Sequence, residues 1–164
     1  MGAARVTAAI PVLRQACPPV ALREANWGDR EAIWAWNNAP EVRALSRDPR
    51  PISALDHARW FAARLTAGLP TWIIEADGEP VGVVRIERFE RHLGKISIAL
   101  AADVRGQGIG RRAIAAACAA WAAPVLAEIL PTNTASRAAF EASGFQLRDQ
   151  RDDVTIYLWT PEAT

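Results

Sequence analysis

The stretch KISIALAADVRGQGIGRR, residues 95–112, joins a short apolar strand to a helix through a turn loaded with glycine and arginine. Its last nine residues hold three glycines and three arginines. An alanine-rich helix is predicted over residues 108–123, stopped by Pro124. The first turn of a helix carries unpaired N–H groups and the positive end of the peptide dipole, so it favours an anion. Gly106, Gly108 and Gly110 let the main chain approach such a ligand with no side chain between, while Arg105, Arg111 and Arg112 add positive charge. A pyrophosphate suits that arrangement. A P-loop would end in Gly-Lys-Ser/Thr, and a dinucleotide fingerprint would follow the first strand with an acid about 20 residues on. Neither is present. Taken alone, these residues also fit a glycine-rich turn with surface arginines.

The neighbouring elements give the turn its context. Residues 20–25 alternate as an opening strand, and Asn26 with Asp29 reads as a helix cap before Ile33, Trp34 and Trp36. Pro40 ends that helix. Ser53 and Asp56 cap a second one, which presents Leu55, Trp60, Phe61 and Leu65 and closes at Gly68. Residues 72–76 and 81–89 form a hairpin around Asp77-Gly78. After the alanine-rich helix come a strand over VLAEIL, a helix closed by Gly144, and a last strand over DVTIYLW paired with the segment from Phe145. Hairpins mixed with strand–helix–strand crossovers predict an α/β (α+β) domain, a sheet covered by helices.

At 164 residues the chain builds one core, and its 51% apolar and 23% charged content is that of an ordinary globular protein. A formal charge of +1 gives no global attraction to nucleic acid or anionic membrane, so neither is expected as a partner. Cys17 and Cys118 lack metal-ligand spacing, and two reduced thiols in a cytoplasmic protein are expected, with no metal. Residues 1–19 read as an irregular extension ended by Pro18 and Pro19, and residues 20–164 as the domain. No stretch approaches the roughly 20 apolar residues of a membrane span.

The pattern Arg105, Gly108, Gly110 between a strand and a helix resembles the pyrophosphate loop of the GNAT N-acetyltransferases, which use acetyl-coenzyme A. Asn133, Ser136, Phe140, Gly144 and Phe145 are similar to a second pattern of that family, in the same order along the chain. The resemblance covers residues 20–159. It implies a central mixed, mostly antiparallel sheet, splayed at the acetyl-coenzyme A site and flanked by about four helices. It also implies that Ile98, Ala99 and Leu100 pair with the pantetheine arm as an added strand. The Leu100 amide would stabilise the negative charge developing on the thioester oxygen. Arg105, Gly106, Gln107, Gly108, Ile109, Gly110 and Arg111 would hold the pyrophosphate, chiefly through main-chain N–H. Asn133, with Ser136 and Phe140, would contact the coenzyme, and Arg137 would either reach its phosphates or lie solvated on its helix.

The reaction implied is attack of a neutral amine on the thioester, which needs a base for the amine proton. Glu128 lies where relatives that acetylate ribosomal-protein N-termini carry a catalytic glutamate in a similar strand. Its other reading is a structural glutamate paired with an arginine. Many relatives place a tyrosine seven residues after the motif asparagine as proton donor to the leaving sulfur; here that residue is Phe140. Water, unassisted departure, or Tyr157, the chain's one tyrosine, are the alternatives, and packing is the other role for Tyr157.

The acceptor side resembles a subgroup acting on UDP-linked 4-amino sugars, through Trp36, Asn38, Val42, Arg43, Ile52, Ser53, His57 and Trp60. Asn37 stands where that subgroup has arginine. Asn38 and Arg43 suit hydroxyls or phosphate, and Trp60 offers a flat face to a sugar or base. His57 suits proton acceptance near neutral pH. Trp36 and Trp60 also sit at helical spacing with core residues, and His57 also reads as an ordinary residue near a helix cap. The reading is an N-acetyltransferase acting on a small amine, an amino sugar nucleotide, as monomer or homodimer. Its alternatives are a protein N-terminal or aminoglycoside-type amine acceptor, and a coenzyme-binding module with little catalysis.

Overall fold

A computed structural model describes residues 17–161. Strand β1 (Val20–Glu24) leads through a 3-10 turn (Trp27–Asp29) into α1 (Arg30–Asn38). Asn26 caps the turn reciprocally: its side chain accepts the Gly28 N–H, and the Asp29 carboxylate accepts the Asn26 N–H. Asp29 also takes two hydrogen bonds from Arg23, at 2.8 and 2.9 Å, which hold its carboxyl below the usual carboxylate range. Pro40 ends no more than α1; it opens a further short helix, α2 (Pro40–Ala44), because its fixed φ and missing N–H suit a first helical turn. Ser53 caps α3 (Ala54–Thr66) by accepting the Asp56 N–H at 3.0 Å.

Strands β2 (Thr71–Ala76) and β3 (Glu79–Glu90) form the expected hairpin. Asp77 (φ 51°) and Gly78 (φ 81°) are both left-handed, as a two-residue turn between twisted strands requires. Then follow β4 (Leu93–Leu100), a second 3-10 turn (Ala102–Val104), α4 (Ile109–Trp121), β5 (Val125–Ile129), α5 (Thr134–Glu141), β6 (Gln146–Gln150) and β7 (Thr155–Trp159). Helix α4 stops before Pro124 because Ala122 turns left-handed, its N–H returning to the Cys118 carbonyl. Of the extension expected over residues 1–19, only Cys17, Pro18 and Pro19 lie among the described residues.

The strands form one sheet in the order β1-β2-β3-β4-β5-β7-β6. Every neighbouring pair is antiparallel except β4 with β5, which are joined across α4. That pair is short. Only Gly94 with Val125 and Lys95 with Leu126 are in register, and the two strands then part. A mixed, mostly antiparallel sheet, splayed in the middle and covered on both faces, is the architecture the resemblance implied, with five helices where about four were expected.

Alternation along the strands fills both faces. Ile74, Val84, Ile86 and Ile96 pack against Ala113, Ile114 and Ala117 of α4. Ile73, Val83 and Ala99 pack against Ile33 of α1 and Phe61 of α3. Cys118 is buried under α4, which pushes its thiol up to about 12; it and Cys17 are both free. No helix among the described residues is long and apolar enough to cross a membrane.

Gly94 sits at the first of the two closed rungs of the splayed pair. A Cβ there would lie 2.6 Å from Ile86 Cγ2 and 2.9 Å from the Trp121 ring. Gly94→Ala is therefore expected to destabilise the fold by about 1–3 kcal/mol through overpacking. Thermal unfolding followed by circular dichroism reads this; an unchanged midpoint would show that Trp121 gives way at no cost.

Candidate functional site

The splay leaves one edge of β4 without a strand partner. The Ala101 N–H donates to the Val81 carbonyl and the Gly94 N–H to the Pro124 carbonyl, both at 2.9 Å. With the alternation of an antiparallel ladder, the main-chain groups of Ser97 and Ala99 face β3, and those of Ile96, Ile98 and Leu100 face the gap. Ala99 was expected to hold a ligand together with Ile98 and Leu100. It pairs instead with Val83, so its N–H and C=O are committed to the sheet. The Leu100 carbonyl accepts from Arg105 Nε at 3.1 Å and Nη2 at 2.8 Å, and its N–H remains toward the gap.

The glycine-rich turn follows directly. Gly106 (φ 75°) and Gly108 (φ 80°) are left-handed, and α4 opens at Ile109 with no side chain capping it. The amides of its first turn are thus open. Arg105 faces away from them, engaged with Leu100 and, at 3.2 Å, with Glu41. Arg111 and Gln107 are exposed, the latter donating to the Asp103 carbonyl. An unpaired strand edge accepts an amide-bearing chain, and open helix amides accept an anion. Together they fit the pantetheine and pyrophosphate of coenzyme A.

Between the parted strands lies a cavity of about 390 Å³. Arg85 and Glu87 of β3, Lys95 and Ser97 of β4, and Glu128 of β5 line it from the sheet, facing Asn133, Ser136 and Phe140 near α5. Arg43 and Arg47 close the side under α2. Glu128 is a fifth exposed; its Oε2 lies 3.3 Å from Arg47 and 3.7 Å from Lys95. It is thus both a cleft-facing carboxylate and one paired with an arginine. Asn133 caps α5, its Oδ1 accepting the Ser136 N–H at 3.1 Å, which leaves its NH₂ unengaged among the described residues.

Other expected residues are placed differently. Arg137 is half-buried, donating to the Tyr157 hydroxyl at 3.1 Å and the Pro131 carbonyl at 3.4 Å, and it does not line the cavity. Tyr157 is fully buried and gives its own proton to Glu141 at 2.7 Å. No tyrosine lines the cleft among the described residues, and Phe140 stands there packed edge-on against Phe145. Trp36 packs on the core under α1. Asn38 clasps the backbone of Ile52 with both ends of its amide, which ties α1 to the loop before α3, while its neighbour Asn37 faces the cavity. Trp60 carries the guanidiniums of Arg85 and Arg64 over its ring, at 5.1 and 5.4 Å. His57 does not reach Glu128. It lines a second cavity, buried, with Nε2 2.8 Å from the Arg30 carbonyl.

Arg47, Arg85, Glu87, Lys95 and Ser97 are polar lining residues without a role in the sequence analysis, and Asn37 entered it only as a departure from the subgroup's arginine. For two of them a signal exists. A strand covered on both faces has no solvent phase, so Arg85 and Glu87, in phase with Val83, mark a cavity instead of a surface.

Residues 20–146 match the family model described as acetyltransferase (GNAT) domain, and the chain belongs to that family. It is an acetyl-coenzyme A-dependent N-acetyltransferase. Among solved structures it is similar to a ribosomal-protein-alanine N-acetyltransferase from Brucella melitensis, at 24% identity and TM-score 0.75, covering 86% of this chain and 99% of that one. It is also similar to yncA from Salmonella typhimurium, solved with its cofactor acetyl-CoA, at 19% identity and TM-score 0.73, covering 88% and 95%. A third is the spermidine N-acetyltransferase from Vibrio cholerae in complex with CoA and spermine, at 16% identity and TM-score 0.75, covering 86% and 95%. No curated protein matches the sequence.

Burial, reinforced by the charges of Arg30 and Arg85, holds His57 below its ordinary value near 6.5 despite its bond to the Arg30 carbonyl. Between the folded and unfolded values the unfolded chain binds more protons, so stability falls as pH drops below about 6.5. Denaturant unfolding at pH 7.5 and pH 5 is expected to show this loss, and His57→Gln to flatten it. An equal slope in both proteins would remove His57 as its source.

Proposed function

We propose that the protein moves an acetyl group to the primary amine of an amino sugar nucleotide by direct attack on the thioester. The observation that carries direct attack is Glu128, set on the parted strand β5 across the cavity from the open edge of β4, while the acceptor class rests on the charge of the cavity. Acetyl-coenzyme A supplies the acetyl group as a thioester. Ile98 and Leu100 bind its arm by main chain, and the Leu100 N–H donates to the carbonyl oxygen as negative charge develops there. The amides of Ile109, Gly110 and Arg111, beside Gly106 and Gly108, hold the pyrophosphate. The unengaged NH₂ of Asn133 reaches the coenzyme from α5.

Glu128 accepts the amine proton, directly or through a water, while Arg47 and Lys95 hold its carboxylate in place. The leaving sulfur takes its proton from water, since Phe140 has none and the Tyr157 proton is engaged with Glu141. Four cationic side chains, Arg43, Arg47, Arg85 and Lys95, line the cavity against two carboxylates, Glu87 and Glu128. That excess disfavours polycationic acceptors such as polyamines or aminoglycosides and supports an acceptor carrying phosphate. The free thiols of Cys17 and Cys118 suit a reducing compartment such as the cytoplasm.

Two variants test the donor and base assignments. Glu128→Gln is expected to lower kcat by about 100-fold, within the usual range for a lost general base, with coenzyme affinity unchanged. Thiol release and calorimetry read the two quantities, and unimpaired turnover would take the base role from Glu128. At Gly108, with φ 80°, alanine costs about 1–2 kcal/mol in the left-handed region. A loop that relaxes to avoid this strain must be restored by the coenzyme, so Gly108→Ala is expected to weaken coenzyme binding about 5- to 30-fold. Wild-type affinity in that variant would place the pyrophosphate elsewhere.

A further inference from the structure

Arg85 stands where two cavities meet. The second, of about 300 Å³, is lined by Ile52, His57 and Trp60 and shares Asn37, Arg43 and Arg85 with the first. The Arg85 side chain is only a fifth exposed. Its Nε donates to Glu87 Oε1 at 3.2 Å, and its plane lies over the Trp60 ring at 5.1 Å. Held at one edge and one face, the guanidinium leaves both terminal nitrogens without an acceptor among the described residues.

The neighbouring arginines show how unusual this is. Arg64, packed behind it, engages Thr71 Oγ1 at 3.0 Å, Glu87 Oε1 at 3.3 Å and the Pro70 carbonyl at 2.9 Å. One carboxylate therefore serves two guanidiniums. Burial and the charge of Arg85 bring Arg64 down to about 10, and burial lowers Arg85 as well. Arg43 gives its donors to the carbonyls of Asn37, Asp48 and Arg50, and no carboxylate pairs with it among the described residues. Asp56, the carboxylate on the second cavity, is engaged with Ser53 at 2.7 Å. The two terminal nitrogens of Arg85 are not among the buried side-chain atoms left without a partner; they open onto the cavities as fixed, accessible donors.

We infer that Arg85 is a specificity residue that binds an anionic group of the acceptor, phosphate or carboxylate, through its two free terminal nitrogens. The acceptor then lies with its amine in the first cavity beside Glu128 and its charged portion toward the second, with the Arg43 charge adjacent. This rests on the reading that the first cavity holds the amine. A planar guanidinium fixed from behind presents two parallel N–H donors, the geometry that matches an oxyanion and that lysine lacks.

The test uses protein saturated with coenzyme A, so that the coenzyme's own phosphates are already bound. Calorimetric titration with uridine diphosphate covers the phosphate source and glutarate the carboxylate source. One of the two is expected to bind the wild type at one site, about tenfold or more weaker in Arg85→Met, and with intermediate affinity in Arg85→Lys, which keeps the charge and loses the fork. Failure of both probes to bind at millimolar concentration, or equal affinity in wild type and Arg85→Lys, overturns the proposal; neither result depends on Arg85→Met folding. Thiol release from acetyl-coenzyme A with glucosamine 6-phosphate and with glucosamine separates the two readings. Equal kcat/KM for the pair overturns the anion site and leaves acetyl transfer intact. No thiol release with any amine, while a probe still binds through Arg85, overturns acetyl transfer and supports the anion site.

Discussion

The structure depends on the brevity of one parallel strand pairing. β4 and β5 stay in register for two residue pairs and then part. Had the pairing continued, the main-chain groups of Ile96, Ile98 and Leu100 would be satisfied by β5, and no edge would remain inside the sheet. An unpaired edge in the middle of a sheet is expensive unless something pairs with it. The partner proposed for it is the arm of acetyl-coenzyme A. The same parting carries Glu128 away from β4 and opens the cavity proposed to hold the amine and the thioester. The long β3–β4 ladder on one side and the β5–β7 pairing on the other keep the two halves rigid while they diverge.

Charge inside the cleft follows from how the sheet is covered. Helices α1 and α3 shield Ile73, Val83 and Ala99, and beyond that shielded area the same face presents Arg85, Glu87, Ser97, Lys95 and Glu128 to the cavity. Helical cover thus divides one strand face into core and site. Each charge there is positioned by another: Glu128 by Arg47 and Lys95, Arg85 by Glu87 and Trp60. The balance remains positive, which is the electrostatic basis for the anionic acceptor proposed above. The acid side is bare by comparison. Phe140 fills the position of the family's tyrosine, and Tyr157 is fixed in a buried network with Arg137 and Glu141.

Much of this was legible from residue order. The Asn26 and Ser53 caps, the Asp77-Gly78 hairpin and the strand–glycine–helix turn are local features whose energies act within a few residues. The glycine turn was readable for the same reason: glycine spacing reports main-chain geometry, and Gly106 and Gly108 are left-handed. The acceptor residues were harder. Trp36, Asn38 and His57 look chemical in one dimension, yet they pack the core, clasp Ile52 and bond the Arg30 carbonyl. Arg85 and Lys95 carry no motif and were missed, and Asn37 was read only as a departure from one.

By itself the sequence determined the main strands and helices, their order, the glycine turn before α4 and the family, because each rests on local periodicity or short fixed spacing. Tertiary structure alone decided where β4 and β5 separate, which phase of β4 faces the gap, and which polar side chains share the cavity. Those outcomes depend on pairing and packing between residues such as Arg47 and Glu128, or Glu41 and Arg105, that lie far apart along the chain. No local pattern encodes such a meeting; only the assembled sheet and its helices bring the charges together.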